Sequence, residues 1–176
     1  MRSSPSTTES GAPAKALPRF LCDIGDQHAD IHAAIDHARG LDAIDPNKIV
    51  LFGTSFGGGH VVAVGSAWPE LAAVIAQCAV VDGPAAALKA PPLLALRWML
   101  AGLVDQARAL LGLAPYYIKL AGEPGQLALM TAPGAEVGYQ AMIEGPSPWR
   151  NLIGARFILR IAFYRSDTPS ASSRSC

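Results

Sequence analysis

Two short apolar runs, at residues 49–52 and 71–81, dominate the first half of the chain. Both have the β-branched content of strands that are buried in a parallel sheet. Between them, residues 56–67 are rich in small side chains and predict a helix that approaches a sheet closely. A strand, a helix and a strand in this order predict a βαβ unit with a right-handed crossover. Upstream, helical spacing of apolar residues over 27–39 predicts a further helix, with Asp26 as its N-cap.

From residue 84 onward the pattern becomes helical, with prolines and glycines as breaks. The apolar residues of 93–104 cover much of a helix circumference, so this helix is expected to be buried on more than one side. Residues 1–19 and 165–176 are rich in Ser, Thr and Pro and predict disorder. The chain is therefore expected to have a core at residues 20–83 and a helical, cap-like region at residues 84–164. The helices predicted in that region span residues 84–90, 93–112, 125–132, 135–143 and 148–164.

The composition favours one soluble globular domain. The chain has 176 residues, 51% of them apolar, and a formal net charge of zero. Such a chain does not favour nucleic acid or an anionic membrane as a partner. Its three cysteines have no metal-ligand spacing and fit a reducing compartment. No signal sequence and no bilayer-length apolar segment is readable, so we expect a cytoplasmic protein.

The end of the first apolar run carries the clearest chemical signal. Residues 53–57 match G-x-S-x-G, in which a serine lies on a sharp turn from a strand to a helix. In that context Ser55 is the predicted nucleophile, in a strained conformation, and the amide of Phe56 is a predicted oxyanion-hole donor. Gly53 and Gly57 flank the turn, where a Cβ on either residue is expected to collide with neighbouring backbone.

Other residues around this turn extend the signal to a family. The stretch from Asp23 to Gly83, with its Asp45-Pro46 turn and its Asp82-Gly83 ending, resembles the middle of a bacterial α/β-hydrolase. The resemblance is to the esterase, dienelactone-hydrolase and serine-aminopeptidase-like branch. It implies an α/β fold made of a partial α/β-hydrolase core, with a short parallel sheet and a nucleophile elbow, plus a helical cap and an incomplete sheet. It also implies hydrolysis of a small-molecule ester or amide, without a cofactor.

The other catalytic groups of that family are harder to place. An acid and then a histidine should follow the serine, but the strands that carry them are not found, which predicts a domain truncated at both ends. The only histidine after Ser55 is His60, which lies about 140° from it around the helix axis and is expected to pack or cap locally. Asp82, at the end of the second strand, is the candidate acid, although a turn and helix-cap role is favoured.

Polar residues of the first helix raise an alternative site. His28, His32 and Asp36 recur at a spacing of four, which could hold a metal ion. A solvated helix face opposite Ile31 and Ile35 is favoured instead, so no metal is predicted. Of the upstream histidines, only His28 is a candidate, and a remote one, for the missing base.

Three interpretations follow from an elbow without its base. The chain could be a serine hydrolase that acts through Ser55, or a truncated and catalytically inactive domain. The third interpretation is an interaction module, because two predicted strands are few for a stable sheet and leave edges that favour self-association.

Overall fold

The computed structural model describes residues 18–143 and 145–166. These residues divide into two units. The first unit contains residues 23–86 and 163–166, and the second contains residues 18–22 and 87–162. The disorder predicted for residues 1–17 and 167–176 lies outside the described residues.

The first unit is built around the predicted strand, helix and strand. Strand β1 (Val50–Thr54) pairs in parallel with β2 (Ala73–Gln77), and helix α2 (Ser55–Gly65) connects them. Phe52 is the register partner of Ile75, and Thr54 is the partner of Gln77. Helix α2 packs on both strands, and helix α1 (Ile24–Arg39) packs on α2. The prediction of an α/β fold with a short parallel sheet is confirmed.

The N-terminal boundary of α1 differs from the prediction. The N-cap is Asp23 rather than Asp26, because Asp23 has the extended backbone of a cap and its Oδ1 accepts from the amides of Gly25 and Asp26. Asp26 instead lies in the first turn, where its negative charge interacts favourably with the positive end of the helix dipole.

The two parallel strands were expected to be buried, and they are not. Phe52 is 63% exposed and its partner Ile75 is 50% exposed, both on the face of the sheet opposite α2. Within residues 18–143 and 145–166, no third strand pairs with β1 or β2. The apolar pattern is typical of a strand that is covered on both faces of its sheet. In this structure α2 packs on one face, and the face that carries Phe52 and Ile75 is exposed.

The first unit closes with residues beyond the second strand. Helix α3 (Gly83–Ala87) follows Asp82, and Asp82 forms an antiparallel bridge with Arg165. The amide of Gly83 donates to the carbonyl of Tyr164, and the amide of Ser166 donates to that of Val81. The ordered pairing thus reaches two residues into the segment that the sequence assigns to a disordered tail.

The second unit is less helical than predicted. Its long helix α4 (Pro92–Leu110) nearly matches the predicted 93–112. A three-stranded sheet accompanies it, in which β3 (Tyr117–Ala121) pairs in parallel with β4 (Ala128–Met130) and antiparallel with β5 (Ile153–Gly154). Strand β4 falls inside the helix predicted at 125–132, so that prediction is wrong. The helix predicted at 148–164 is correct only for α6 (Phe157–Ile161), because β5 also falls inside it, whereas α5 (Ala135–Ala141) lies within the predicted 135–143.

A buried carboxylate organises the second unit. The side chain of Asp105 is fully buried, and its oxygens accept from the amides of Tyr116 and Arg156 and from the Arg156 guanidinium at 2.8–3.0 Å. Burial alone would raise the pKa of Asp105, but the hydrogen bonds from Arg156 and Tyr116 outweigh it and lower the pKa. One acid on α4 thereby fixes the start of β3 and the approach to α6.

None of the helices within the described part of the chain combines the length and the apolar character needed to cross a lipid bilayer.

We predict that Asp105→Asn lowers the free energy of unfolding by roughly 3–5 kcal/mol, because the largely buried Arg156 would lose the carboxylate that pairs with it. Urea unfolding followed by circular dichroism measures this change. Glu123→Gln, at an exposed acid of the same unit, is the control and should change the free energy by less than about 0.5 kcal/mol. A similarly small change for Asp105→Asn would contradict the structural role proposed for the Asp105 carboxylate.

Candidate active site

The candidate site is the junction between β1 and α2. The strand ends at Thr54 and the helix begins at Ser55 without a loop between them. The chain can turn this sharply because Ser55 has a φ of +53°. A non-glycine residue with this left-handed backbone costs roughly 1–2 kcal/mol, so the surrounding structure must hold it there.

Close packing of glycines holds the turn. A Cβ on Gly53 would overlap the carbonyl group of Gly57, so the strand and the helix can only approach this closely without one. A Cβ on Gly58 would lie 3.0 Å from the Cβ of Ala79. The amide of Val80 donates to the Ser55 carbonyl at 3.0 Å and ties the turn to the residues after β2.

The two glycines of the motif therefore have different roles. The expected collision is found at Gly53, but a Cβ on Gly57 would meet no atom within 4 Å. The prediction for Gly57 was wrong because its position, inside the first turn of α2, faces away from the neighbouring backbone.

The Ser55 side chain is exposed, and no side chain of the described residues hydrogen-bonds to its hydroxyl. The next residue, Phe56, lies in the first turn of α2, where backbone N–H groups point towards the helix N-terminus and its partial positive charge. An anion that forms beside Ser55 would be stabilised there.

His60 lies elsewhere, in a buried cluster behind the turn. Its Nδ1 is 2.9 Å from Nε2 of His28 and 3.3 Å from the Tyr164 hydroxyl, and its Nε2 is 3.0 Å from Oε1 of Gln27. Its ring also contacts the ring of Phe56, with centroids 4.3 Å apart. The prediction that His60 does not serve Ser55 agrees with this geometry, since both of its ring nitrogens have other partners. The prediction of a local packing or capping role was wrong for its hydrogen bonds, because these partners come from distant segments of the chain.

The first helix has a different buried face from the one expected. His28 is only 3% exposed, and His32 accepts a hydrogen bond from Trp68 Nε1 at 2.7 Å. The prediction of a solvated histidine stripe was wrong because His28, His32 and the buried Ile35 share one face of α1, which packs on α2. Among the residues that the structure describes, no cluster of three or more metal-ligating side chains occurs.

The hydrogen bonds define the protonation state of the cluster. Because Gln27 Oε1 can only accept, Nε2 of His60 donates to it, and Nδ1 of His60 accepts from Nε2 of His28. Burial, and then repulsion from His28, lowers the pKa of His60 to about 4. Burial also lowers the pKa of His28 and raises the pKa of Tyr164 to about 12. All three side chains are therefore neutral at neutral pH.

Asp82 serves the fold in the way that the sequence favoured. Its Oδ1 accepts from the amide of Ala85 at 2.9 Å and caps α3. No histidine within residues 18–143 and 145–166 hydrogen-bonds to this carboxylate.

Sequence reasoning missed a cleft in the second unit. The cleft has a volume of about 410 Å³, and Arg19, Phe20, Cys22, Leu120 and Trp149 are among its lining residues. Arg19 falls in the segment predicted to be disordered, and no motif in the sequence singles out Trp149. The order of the segment around Arg19 depends on distant pairing, since the Tyr117 hydroxyl donates to the Arg19 carbonyl and the amide of Gly154 donates to the Phe20 carbonyl.

Comparisons with known proteins place this fold. No family model matches the sequence. The chain superposes on three solved structures with TM-scores of 0.64–0.70 over 88–93% of its length, at 14–22% identity. They are the alpha/beta hydrolase GrgF from Penicillium sp. sh18, DcsB in complex with its substrate analogue, and the hypothetical protein PA2218 from Pseudomonas aeruginosa.

The chain has an α/β-hydrolase fold. Its sequence is 45% identical over 151 residues to the quorum-quenching protein AidA of Acinetobacter baumannii (strain MDR-ZJ06), which covers 86% of this chain. The chain spans about half the length of AidA and of each of the three structures. In this α/β-hydrolase fold, the junction of β1 with α2 is the part that brings a hydroxyl to the end of a strand.

We predict that Ser55→Gly is more stable than Ser55→Ala by about 1 kcal/mol, because glycine adopts a positive φ without the Cβ penalty. Thermal and urea unfolding measure the difference. Ser66, at the other end of α2 with a φ of −64°, is the matched control, and there alanine should be at least as stable as glycine. If alanine were at least as stable as glycine at both positions, residue 55 would not be strained.

We also predict that acid destabilises the fold through His60. The folded-state pKa of about 4 lies below the unfolded value of 6.5, so between these values only the unfolded chain takes up the proton. The stabilisation is complete above pH 6.5 and is lost as the pH falls towards 4, by up to about 3 kcal/mol. Unfolding free energies of wild type and His60→Gln across this range measure it. The variant should show a shallower dependence, whereas the exposed His37→Gln should follow wild type. An unchanged dependence in His60→Gln would contradict the prediction.

Proposed function

We propose that this chain carries the nucleophile of a serine hydrolase, with Ser55 attacking the carbonyl of an ester or small amide. The observation that supports this most is the φ of +53° at Ser55, directly between a parallel strand and a helix. A strained backbone of this kind persists only where the structure fixes it, and here it lifts an exposed hydroxyl to the end of the sheet. This geometry supports the proposal that the junction is a nucleophile elbow.

The proposed chemistry is acyl transfer. The Ser55 oxygen would bond to the carbonyl carbon while its proton leaves for a base, and the alcohol or amine would depart as the acyl-enzyme forms. The amide of Phe56, at the positive end of α2, supports stabilisation of the oxyanion. Gly53 would keep the turn tight, and Asp82, which caps α3, is the candidate acid.

A complete triad is not supported by the described residues. A serine hydroxyl is a weak nucleophile until a positioned base accepts its proton, and His60 and His28 bond to each other instead. We therefore expect hydrolysis by this chain alone to be slow or absent. Slow covalent capture by a fluorophosphonate is still expected, because fluoride leaves more readily than an alcohol and the stable adduct accumulates without further turnover.

The relative AidA suggests a class of substrate. Quorum quenching means that a diffusible signal is removed, and a small signal molecule with an ester, lactone or amide bond would suit a serine nucleophile. We propose such a molecule as the substrate in preference to a protein or a nucleic acid, in agreement with the zero formal net charge of the chain.

Labelling by a fluorophosphonate probe tests the proposed nucleophile. We predict that the folded chain is labelled at Ser55, that Ser55→Ala abolishes labelling, and that Ser66→Ala retains it, because Ser66 Oγ donates to the Ala63 carbonyl at the far end of α2. Peptide mapping by mass spectrometry locates the adduct, and short nitrophenyl esters, lactones and amides report turnover. A folded chain that is not labelled would contradict the proposal.

The exposed sheet favours a second candidate function, a non-enzymatic interaction module. Phe52 and Ile75 are exposed, and neither strand has a further partner among the described residues. Such strands readily pair with another chain, so self-association through the edges of the β1–β2 sheet is expected. Light scattering should then show dimers or larger species that Phe52→Lys reduces and that Leu88→Lys, at a residue that is 88% exposed, leaves unchanged. A monomeric wild type would exclude self-association through this sheet.

A further inference from the structure

A cluster of aromatic rings packs around the side chain of Phe56, the residue that follows Ser55. We define this imidazole cluster as His28, His60, Tyr164 and Phe56. The ring of Phe56 lies 4.3 Å from the His60 ring and 5.0 Å from the Tyr164 ring, in edge-on arrangements. His28, His60 and Tyr164 are each no more than 6% exposed. The residue that follows the proposed nucleophile therefore rests on two buried polar rings.

Three separate segments bring the cluster together. His28 comes from α1, His60 from α2, and Tyr164 from the segment that pairs with residues 81–83. Gly59 makes room for this arrangement, since a Cβ there would overlap the carbonyl oxygen of Val80 and would lie 3.0 Å from the ring and the hydroxyl of Tyr164. The convergence has no role in the proposed acyl transfer, because none of these side chains hydrogen-bonds to Ser55.

The hydrogen bonds of the cluster are arranged for a neutral His60. His60 has a single lone pair at Nδ1, which accepts from His28 at 2.9 Å and faces the Tyr164 hydroxyl at 3.3 Å. A proton on that nitrogen would point at the N–H of His28 Nε2, and the contact would then be kept only if His28 moved its own proton to Nδ1. Protonation of His60 therefore requires a rearrangement of the cluster, in the His28 tautomer or in the rings that hold Phe56.

No other charge offsets this dependence. The titratable groups that face His60 are His28 on α1, with His32 one turn further along, and Tyr164. Strands β1 and β2, which also pack on α2, contain no titratable side chain. No carboxylate of the described residues hydrogen-bonds to either His28 or His60, so a proton there would lack a counter-ion.

We propose that neutral His60 is a positioning residue, which fixes the backbone of Ser55 and Phe56 through its contact with the Phe56 ring. Protonation of His60 would rearrange the imidazole cluster and leave the backbone at these two residues free to move. The part of this inference that concerns regulation rests on the proposed function of Ser55. The structural part does not, because the contact between His60 and Phe56 exists whether or not the serine reacts.

Nuclear magnetic resonance titration of the full chain tests the positioning. The His60 ring resonances and the backbone amides of Ser55 and Phe56 are followed from about pH 8 to about pH 3.5. The expected result is one common midpoint near 4 for all three residues. In His60→Gln, the amide shifts at this midpoint should disappear, and in His37→Gln they should remain. If His60 titrates while the Phe56 amide does not move, the proposal is overturned, and wild type alone decides this if His60→Gln does not fold.

Fluorophosphonate labelling rates at the same pH values separate this inference from the proposed function. A rate that falls with the midpoint of the Phe56 amide supports both. An amide that titrates in a chain that is never labelled supports the positioning and rejects Ser55 as a nucleophile. Labelling at Ser55 with an amide that does not respond to pH overturns the positioning and leaves the nucleophile in place.

Discussion

The left-handed backbone at Ser55 is the constraint on which the first unit depends. With an ordinary negative φ, helix α2 could not start directly after β1, and the hydroxyl would not stand at the end of the strand. The cost of roughly 1–2 kcal/mol is offset by contacts on both sides of the turn. These include the packing of Gly53 against Gly57 and the hydrogen bond from Val80 to the Ser55 carbonyl.

Glycines in β1 and α2 allow close packing around this turn. Gly53 brings the strand to the helix, Gly58 brings the helix to Ala79, and Gly59 admits the ring of Tyr164. Each glycine lowers the intrinsic stability of an isolated helix or strand, by roughly 0.5–1 kcal/mol relative to alanine. Their concentration in one short segment is explained by the contacts that a Cβ would prevent. The buried His60, on the same helix, then joins α1 to the turn through neutral hydrogen bonds.

Local patterns in the sequence were sufficient for the parts of the fold that depend on neighbouring residues. The apolar runs of β1 and β2, the helix between them and the bounds of α4 could be predicted, because each has a period or a length of its own. Strands β3, β4 and β5 could not, because the apolar run of β3 is interrupted by Lys119 and because β4 and β5 have only three and two residues. Strand β3 also depends on a distant residue, since the Asn151 side chain pairs with both backbone groups of Ala121.

The candidate site likewise has one part that local sequence predicts and one part that depends on distant residues. The serine and its flanking Gly53 follow from a contiguous motif, whereas the burial of His28 requires His60, 32 residues away, and the contact with Tyr164 spans 104 residues. A polar residue at helical spacing does not show whether its partner is water or another buried side chain. The spacing of His28, His32 and Asp36 was therefore read as a solvated face, although His28 is in the core.

The central claim is that residue 55 has a left-handed backbone between a strand and a helix. A high-resolution crystal structure of this chain measures it directly at residues 50–60. The account predicts a φ near +53° at Ser55, with the Val80 amide about 3.0 Å from its carbonyl oxygen. A negative φ at Ser55, with helix or coil running through it and no strand entering it, would contradict the account.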